Sequence, residues 1–148
     1  MIGITRELEN TNLMRYMSSV IIPSIGDTLI MVLVSAIFSI FFGIFLGIIL
    51  VMTDKNGLSP HPIIHGVLAK ITDIIRSFPM MILIVAIAPI TRFFIGTKIG
   101  VQAAIFAIVI GSTPFATRMT ENSLNTVDSQ LIKMARSIGA SKLQIIFK

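Results

Sequence analysis

Between Asp27 and Asp54 the chain reads TLIMVLVSAIFSIFFGIFLGIILVMT, without one charged side chain. As an α-helix this stretch is about 39 Å long, more than the roughly 30 Å hydrocarbon core of a bilayer. It therefore predicts a membrane-spanning helix with room to tilt. Composition agrees: 54% of the residues are apolar and 13% charged, against about 25% charged in soluble domains. Lipid, rather than water, is the main solvent of this chain.

Two further uncharged runs follow. Ser77 to Thr91 contains Pro79 and Pro89 and is too short to cross alone. The half-apolar stretch IIHGVLAKITDII before it is expected to continue the same helix, giving a second span over about 70–92 with Arg76 and Arg92 snorkelling to the two interfaces. The third run, Ile99 to Thr117, is close to the length of a span, and Pro114 near its end predicts a stop or kink there. The expected organisation is an all-α, polytopic transmembrane bundle: an external or interfacial segment over 1–27, a core over 28–117 with spans at about 28–53, 70–92 and 99–117, and a cytoplasmic segment over 118–148.

Basic residues orient the bundle. With the N-terminus outside, the inner segments hold Lys55, Lys70, Arg76, Arg118, Lys133, Arg136, Lys142 and Lys148, and the outer ones hold Arg6, Arg15, Arg92 and Lys98. This excess places the C-terminal segment in the cytoplasm. The net charge of +5 does not point to nucleic acid, because the Lys and Arg punctuate apolar runs instead of forming one solvated patch. The segment before Thr28 carries Arg6, Glu7, Glu9, Arg15 and Asp27 with no apolar stretch of leader type, so no cleaved leader is expected.

Several chemistries are excluded. The chain has no cysteine, so thiolate zinc sites, disulfides and thiol nucleophiles are absent. His61 and His65 stand four apart, but Pro62 separates them and no carboxylate or thiolate completes a metal set, which leaves an interfacial loop as the reading. Arg118 and Glu121 are spaced for an intrahelical pair. No Asp, Glu, Lys, Arg or His interrupts the first or third run, so there is no proton relay at membrane depth. Neither a phosphate-cradling loop nor a nucleophile–base set can be assembled, and no catalytic residue is expected.

Small residues recur every four positions at Ser35, Ser39, Gly43 and Gly47 in the first span, and at Ala103, Ala107 and Gly111 in the third. Such stripes let helices approach closely and are read as packing faces in preference to a pore lining. After Glu121 the pattern turns amphipathic: Leu131, Met134, Ala135 and Ile138 share a face, while Lys133, Arg136 and Ser137 point elsewhere. Asp128 is placed to cap this short helix, Val127 and Ile132 to staple it, and Gly139 to end it. A second stripe, Leu143, Ile146 and Phe147, begins before Lys148 without a closing cap. A short helix held between membrane elements offers a ridge to a soluble partner; the alternative is a helix lying flat on lipid.

The order of these features resembles the membrane-spanning subunits of bacterial ATP-binding-cassette importers. The residues that carry the resemblance are Thr28, Leu29, Ser35, Gly43 and Gly47 in the first span, Arg76, Ser77, Phe78 and Pro79 before the next helix, and the stretch KMARSIGASKLQIIFK, in which Ala135 and Gly139 match the family's coupling motif. Lys133 stands where that motif usually has Glu, and Met134 where it usually has Ala. The resemblance covers about residues 24–148, and RSFPMMILIVAIAPITRFFIGTKIG is most similar to the methionine-importer type. It implies a permease subunit of five spans, three of them here. It also implies a homodimer with the pathway along its interface, a separate ATPase subunit holding ATP and magnesium, and an extracytoplasmic substrate-binding protein. This chain itself would hold no cofactor. Leu131, Lys133, Met134, Ala135, Arg136, Ile138 and Gly139 become the expected ATPase-coupling element. A small neutral or zwitterionic solute suits the uncharged spans, and methionine is implied by the resemblance alone. The competing readings are an accessory or structural polytopic protein, a permease for another small solute, and a membrane-embedded enzyme, for which only Ser, Thr and Gln102 are available at membrane depth.

Overall fold

A computed structural model describes residues 15–147, and every regular element in that range is helical. Arg6, Glu7, Glu9 and Lys148 lie outside the described residues, as do the side chains of Leu143 and Phe147. A π-helical turn, Met17–Ile21, runs directly into α1, Ile22–Thr53. Then come α2 (Pro62–Ser77), α3 (Met80–Ile95), α4 (Val101–Asn125), α5 (Ser129–Ser137) and α6 (Lys142–Phe147).

Helix α1 begins upstream of the expected 28, inside the segment assigned to the exterior. Pro23 follows directly on the π-helical turn, and the Ser24 and Thr28 hydroxyls donate to the Val20 and Ser24 carbonyls, both at 2.7 Å. Its large apolar residues, among them Leu33, Ile37, Phe41 and Phe45, are exposed, as a lipid-facing surface requires. The buried residues form a single line: Ser35, Ser39, Gly43, Gly47, Leu50 and Thr53.

The expected continuous span over 70–92 is corrected to two helices, α2 and α3, bent by 115°. Phe78 is extended (φ −83°, ψ 134°), as the residue before a proline is pushed to be. Pro79 then opens α3, its carbonyl accepting from the Ile82 and Leu83 amides at 2.9 and 3.1 Å. Pro62 likewise starts α2, so His65 is helical and the loop expected around both histidines holds only for what precedes Pro62.

Pro114 does not stop the third hydrophobic helix: α4 runs through it to Asn125, and Thr117 is no element boundary. The Thr113 and Thr117 hydroxyls donate to the Val109 and Thr113 carbonyls on either side of the proline (2.6 and 2.8 Å). Helix α4 is the centre of the bundle and touches α1, α2 and α3. Leu83, Ile87 and Ala107 form its small core with α3, with Ile75 and Ile110 packed against it.

Candidate coupling site

The short stretch from Thr126 to Asp128 separates the long helix α4 from the short helix α5. Asp128 caps α5: its Oδ1 accepts from the Gln130 amide at 2.8 Å, satisfying one of the unpaired N–H groups of the first turn. At the other end Gly139 adopts φ +82°. The Ala140 amide donates to the Ala135 carbonyl (3.0 Å) and the Gly139 amide to that of Arg136 (3.1 Å), the paired bonds of a Schellman stop. A Cβ on Gly139 would meet nothing within 4 Å, so backbone conformation, not space, selects glycine there.

The helix so fixed presents Leu131, Met134 and Ile138 to the surface, 59%, 64% and 84% exposed. Lys133 is exposed beside them, while Ala135 and Ile132 are half-buried. Val127, Ile132, Ala135 and Gly139 line a shallow groove of about 600 Å³ at the foot of this ridge. Arg136 is engaged within the chain: its Nη2 donates to the Leu58 carbonyl in the α1–α2 loop at 3.2 Å. The expected coupling residues therefore lie on α5 and its C-terminal stop, with Arg136 bonded back onto the α1–α2 loop.

The two small-residue stripes lie in the bundle but do not face each other. A Cβ on Gly43 would collide with the Ala116 Cβ and lie 3.1 Å from the Thr117 amide nitrogen, and one on Gly47 would lie 2.6 Å from the Thr120 Cβ. The α1 stripe thus meets Ala116, Thr117 and Thr120 of α4. Ser35 and Ser39, higher on the same line, are buried, and among the described residues their hydroxyls have no hydrogen-bond partner. Ala103 and Ala107, both 3% exposed, lie on α4, where Gly111 faces Met80 and Leu83 of α3. The mate of the α1 stripe was readable as Ser112, Ala116 and Thr120, again four apart.

One polar cluster was legible in the sequence only in its intrahelical half. Arg118 donates to Asp73 through Nε (3.2 Å to Oδ1) and Nη2 (2.8 Å to Oδ2), to Glu121 through Nη1 (2.6 Å), and to the Ala69 carbonyl at 3.3 Å. Asp73 also pairs with Arg76 at 3.7 Å. The intrahelical Arg118–Glu121 pair is present, but the guanidinium is shared with a carboxylate 45 residues away.

His65 Nδ1 lies 3.1 Å from the Leu50 carbonyl and its Nε2 3.8 Å from Asp54, tying α2 to the end of α1. Among the described residues no three His, Asp or Glu side chains gather as metal ligands. Two open grooves flank α4. One of about 1000 Å³ runs past Phe38, Phe42, Ile71, Gln102 and Phe106; the other, about 700 Å³, past Ser35, Ser39, Ser112 and Phe115.

Comparison with known proteins agrees with this architecture. The chain is 39% identical over 122 residues to the D-methionine transport system permease protein MetI of Yersinia pestis, covering 82% of this chain and 56% of that protein. It is 41% identical over 100 residues to the methionine import system permease protein MetP of Bacillus subtilis, covering 68% of this chain and 45% of that one. A chain of the MetNI methionine ABC transporter, solved in inward-facing conformations, superposes with a TM-score of 0.83 at 35% identity, over 89% of this chain and 61% of that one. The chain thus spans about half to three fifths of the length of the relatives it matches. Residues 39–148 match the family described as the binding-protein-dependent transport system inner membrane component, and the chain is a membrane-spanning member of that family.

Proposed function

We propose that this chain is the greater part of a permease subunit of an ATP-driven importer for a small amino acid, methionine by its similarity to MetI and MetP. Two copies would enclose the pathway. An ATPase subunit inside would hold ATP and magnesium, and a substrate-binding protein would deliver the solute from outside. The N-terminus would be external and the segment from Arg118 onward would reach the cytoplasm.

The observation that carries this reading is the capped helix α5, whose exposed ridge of Leu131, Met134 and Ile138 follows closely on the end of α4. A ridge of this kind fits a groove on a soluble partner. When the nucleotide-bound ATPase pair closes, α5 moves with it, and α4, a continuous helix, swings as a rigid rod between inward-facing and outward-facing arrangements. The chain's own residues then bind, pack and transmit; the bond-breaking chemistry belongs to the partner.

The test is ATP-dependent uptake of labelled methionine into vesicles carrying the full-length subunit and its ATPase, with other amino acids as competitors. Competition by methionine above all others is the expected result, and uptake indifferent to methionine overturns the substrate. A bulky residue at Ala135 or Gly139 should abolish ATPase association while leaving membrane insertion intact. Unchanged co-purification overturns the assignment of α5.

A further inference from the structure

Resting on the permease reading, we propose that the Arg118–Asp73 ion pair is the latch through which α4 moves α2, so that displacement of α5 reaches the bend between α2 and α3. Arg118 sits where α4 leaves its uncharged stretch, with its side chain 19% exposed. A cation so enclosed needs a fixed counter-charge, and two are provided. Glu121, 13% exposed, lies on the same helix and adds nothing between helices. Asp73 belongs to α2 and takes the guanidinium side-on through both carboxylate oxygens, the two-pronged geometry that fixes direction as well as distance.

The same guanidinium reaches the Ala69 carbonyl one turn earlier in α2, so Arg118 grips that helix at two successive turns. Arg76, Asp73, Arg118 and Glu121 are joined in a row of three pairs of alternating sign. The row is therefore neutral as a whole and needs no further ion. Thr72, the buried residue of α2, keeps its hydroxyl on its own helix, donating to the Leu68 carbonyl. Among the described residues Arg118 thus supplies the polar grip of α4 on α2, and apolar surfaces slide over one another more readily than a forked ion pair does.

Position gives the pair its consequence. Asp73 stands in the last two turns of α2, just before the 115° bend at Phe78 and Pro79. Beyond that bend α3 packs its Leu83 and Ile87 on Ala107 of α4. The path from α5 is then Thr126 to Asp128, α4, Arg118, Asp73, α2 and the bend. Without the latch, α4 still follows α5, but α2 no longer follows α4. Asp73 and Arg118 are positioning residues in this scheme, since neither needs to touch the transported solute.

The experiment uses the full-length subunit assembled with its ATPase in vesicles and reads ATP hydrolysed per solute imported. Association with the ATPase and ATP-dependent uptake by the unaltered protein test the permease reading on its own. Given both, Asp73→Asn should leave association intact and raise the ATP-to-solute ratio about fivefold or more, the lower end of usual coupling energies. Asp73→Glu, which restores the carboxylate, should return the ratio to near its original value. Glu121→Gln, which spares the link between helices, should leave the ratio unchanged. An unchanged ratio in Asp73→Asn overturns the latch, as does an equal rise in Glu121→Gln, failure of Asp73→Glu to restore the ratio, or loss of ATPase association in Asp73→Asn.

Discussion

Gly43 of α1 lies against Ala116 of α4 so closely that the smallest side chain at 43 would occupy the space of the Ala116 Cβ. One turn on, Gly47 stands in the same relation to Thr120, and its Cβ would also approach the Thr117 carbonyl to 2.9 Å. Backbone atoms cannot rotate away as the end of a flexible side chain can, so the two helices would have to part. In a bilayer, where association rests on close packing and not on water's expulsion, that separation removes the main attraction between them.

Gly47→Ala should therefore destabilise the protein by about 1–3 kcal/mol, the usual cost of overpacking. Gly26→Ala, in the same helix but with nothing within 4 Å of the added Cβ, should be neutral or stabilise by up to about 1 kcal/mol through helix propensity. Thermal unfolding in detergent measures both. A Gly47→Ala protein as stable as the original would mean that the α1–α4 seam is looser than described.

The seam shows how much of this fold a reader of the sequence holds in hand. The uncharged run from Thr28 to Thr53 announces a helix because its length and polarity leave no alternative in lipid, and the four-residue spacing from Ser35 to Gly47 marks its packing face. Asp128 and Gly139 likewise fix α5 by local chemistry. What resisted reading was the choice among prolines: Pro79 breaks a helix while Pro89 and Pro114 do not. Nothing in the local sequence separates the three: Phe78 before Pro79 is extended, whereas the residues before Pro89 and Pro114 stay helical. The link from Arg118 to Asp73 was beyond reach, because spacing within one helix says nothing about a partner 45 residues away.

The ends of α5 make a second prediction. Asp128→Ala removes the acceptor for the Gln130 amide and should cost the helix about 1 kcal/mol. Gly139→Ala forces an L-residue to φ +82° and should cost about 1–2 kcal/mol. Hydrogen exchange in the full-length protein should show faster exchange confined to α5 in both variants, with α1 and α4 unchanged. Acceleration spread evenly over all helices would contradict a locally stopped element.

Topology is open to a direct test because the 148 residues contain no cysteine. The proposed topology puts the C-terminal segment in the cytoplasm, and Lys133→Cys should then react with a membrane-impermeant maleimide only in inverted vesicles. Thr97→Cys, in the turn between α3 and α4, should react only in right-side-out ones. Labelling of Lys133→Cys from outside would place α5 beyond reach of any internal ATPase and end the proposed function.

Ser35 and Ser39 carry the last prediction. Elsewhere in these helices hydroxyls donate to the carbonyl four residues back, as at Thr91, Thr113, Thr117 and Thr120. At Ser35 and Ser39 the oxygens are buried and, among the described residues, without partners. A buried hydroxyl left unpaired costs about 1–3 kcal/mol, and replacing it by an apolar group of similar size removes that cost. Ser39→Ala should thus raise the melting temperature or leave it unchanged. Thr117→Val, which has the same shape but strips a fully buried hydroxyl from its bond to Thr113, should lower it by about 1 kcal/mol of stability. If Ser39→Ala proves the more damaging of the two, the Ser39 hydroxyl has a partner in the assembled protein, and the face it lies on is a contact surface in addition to a seam.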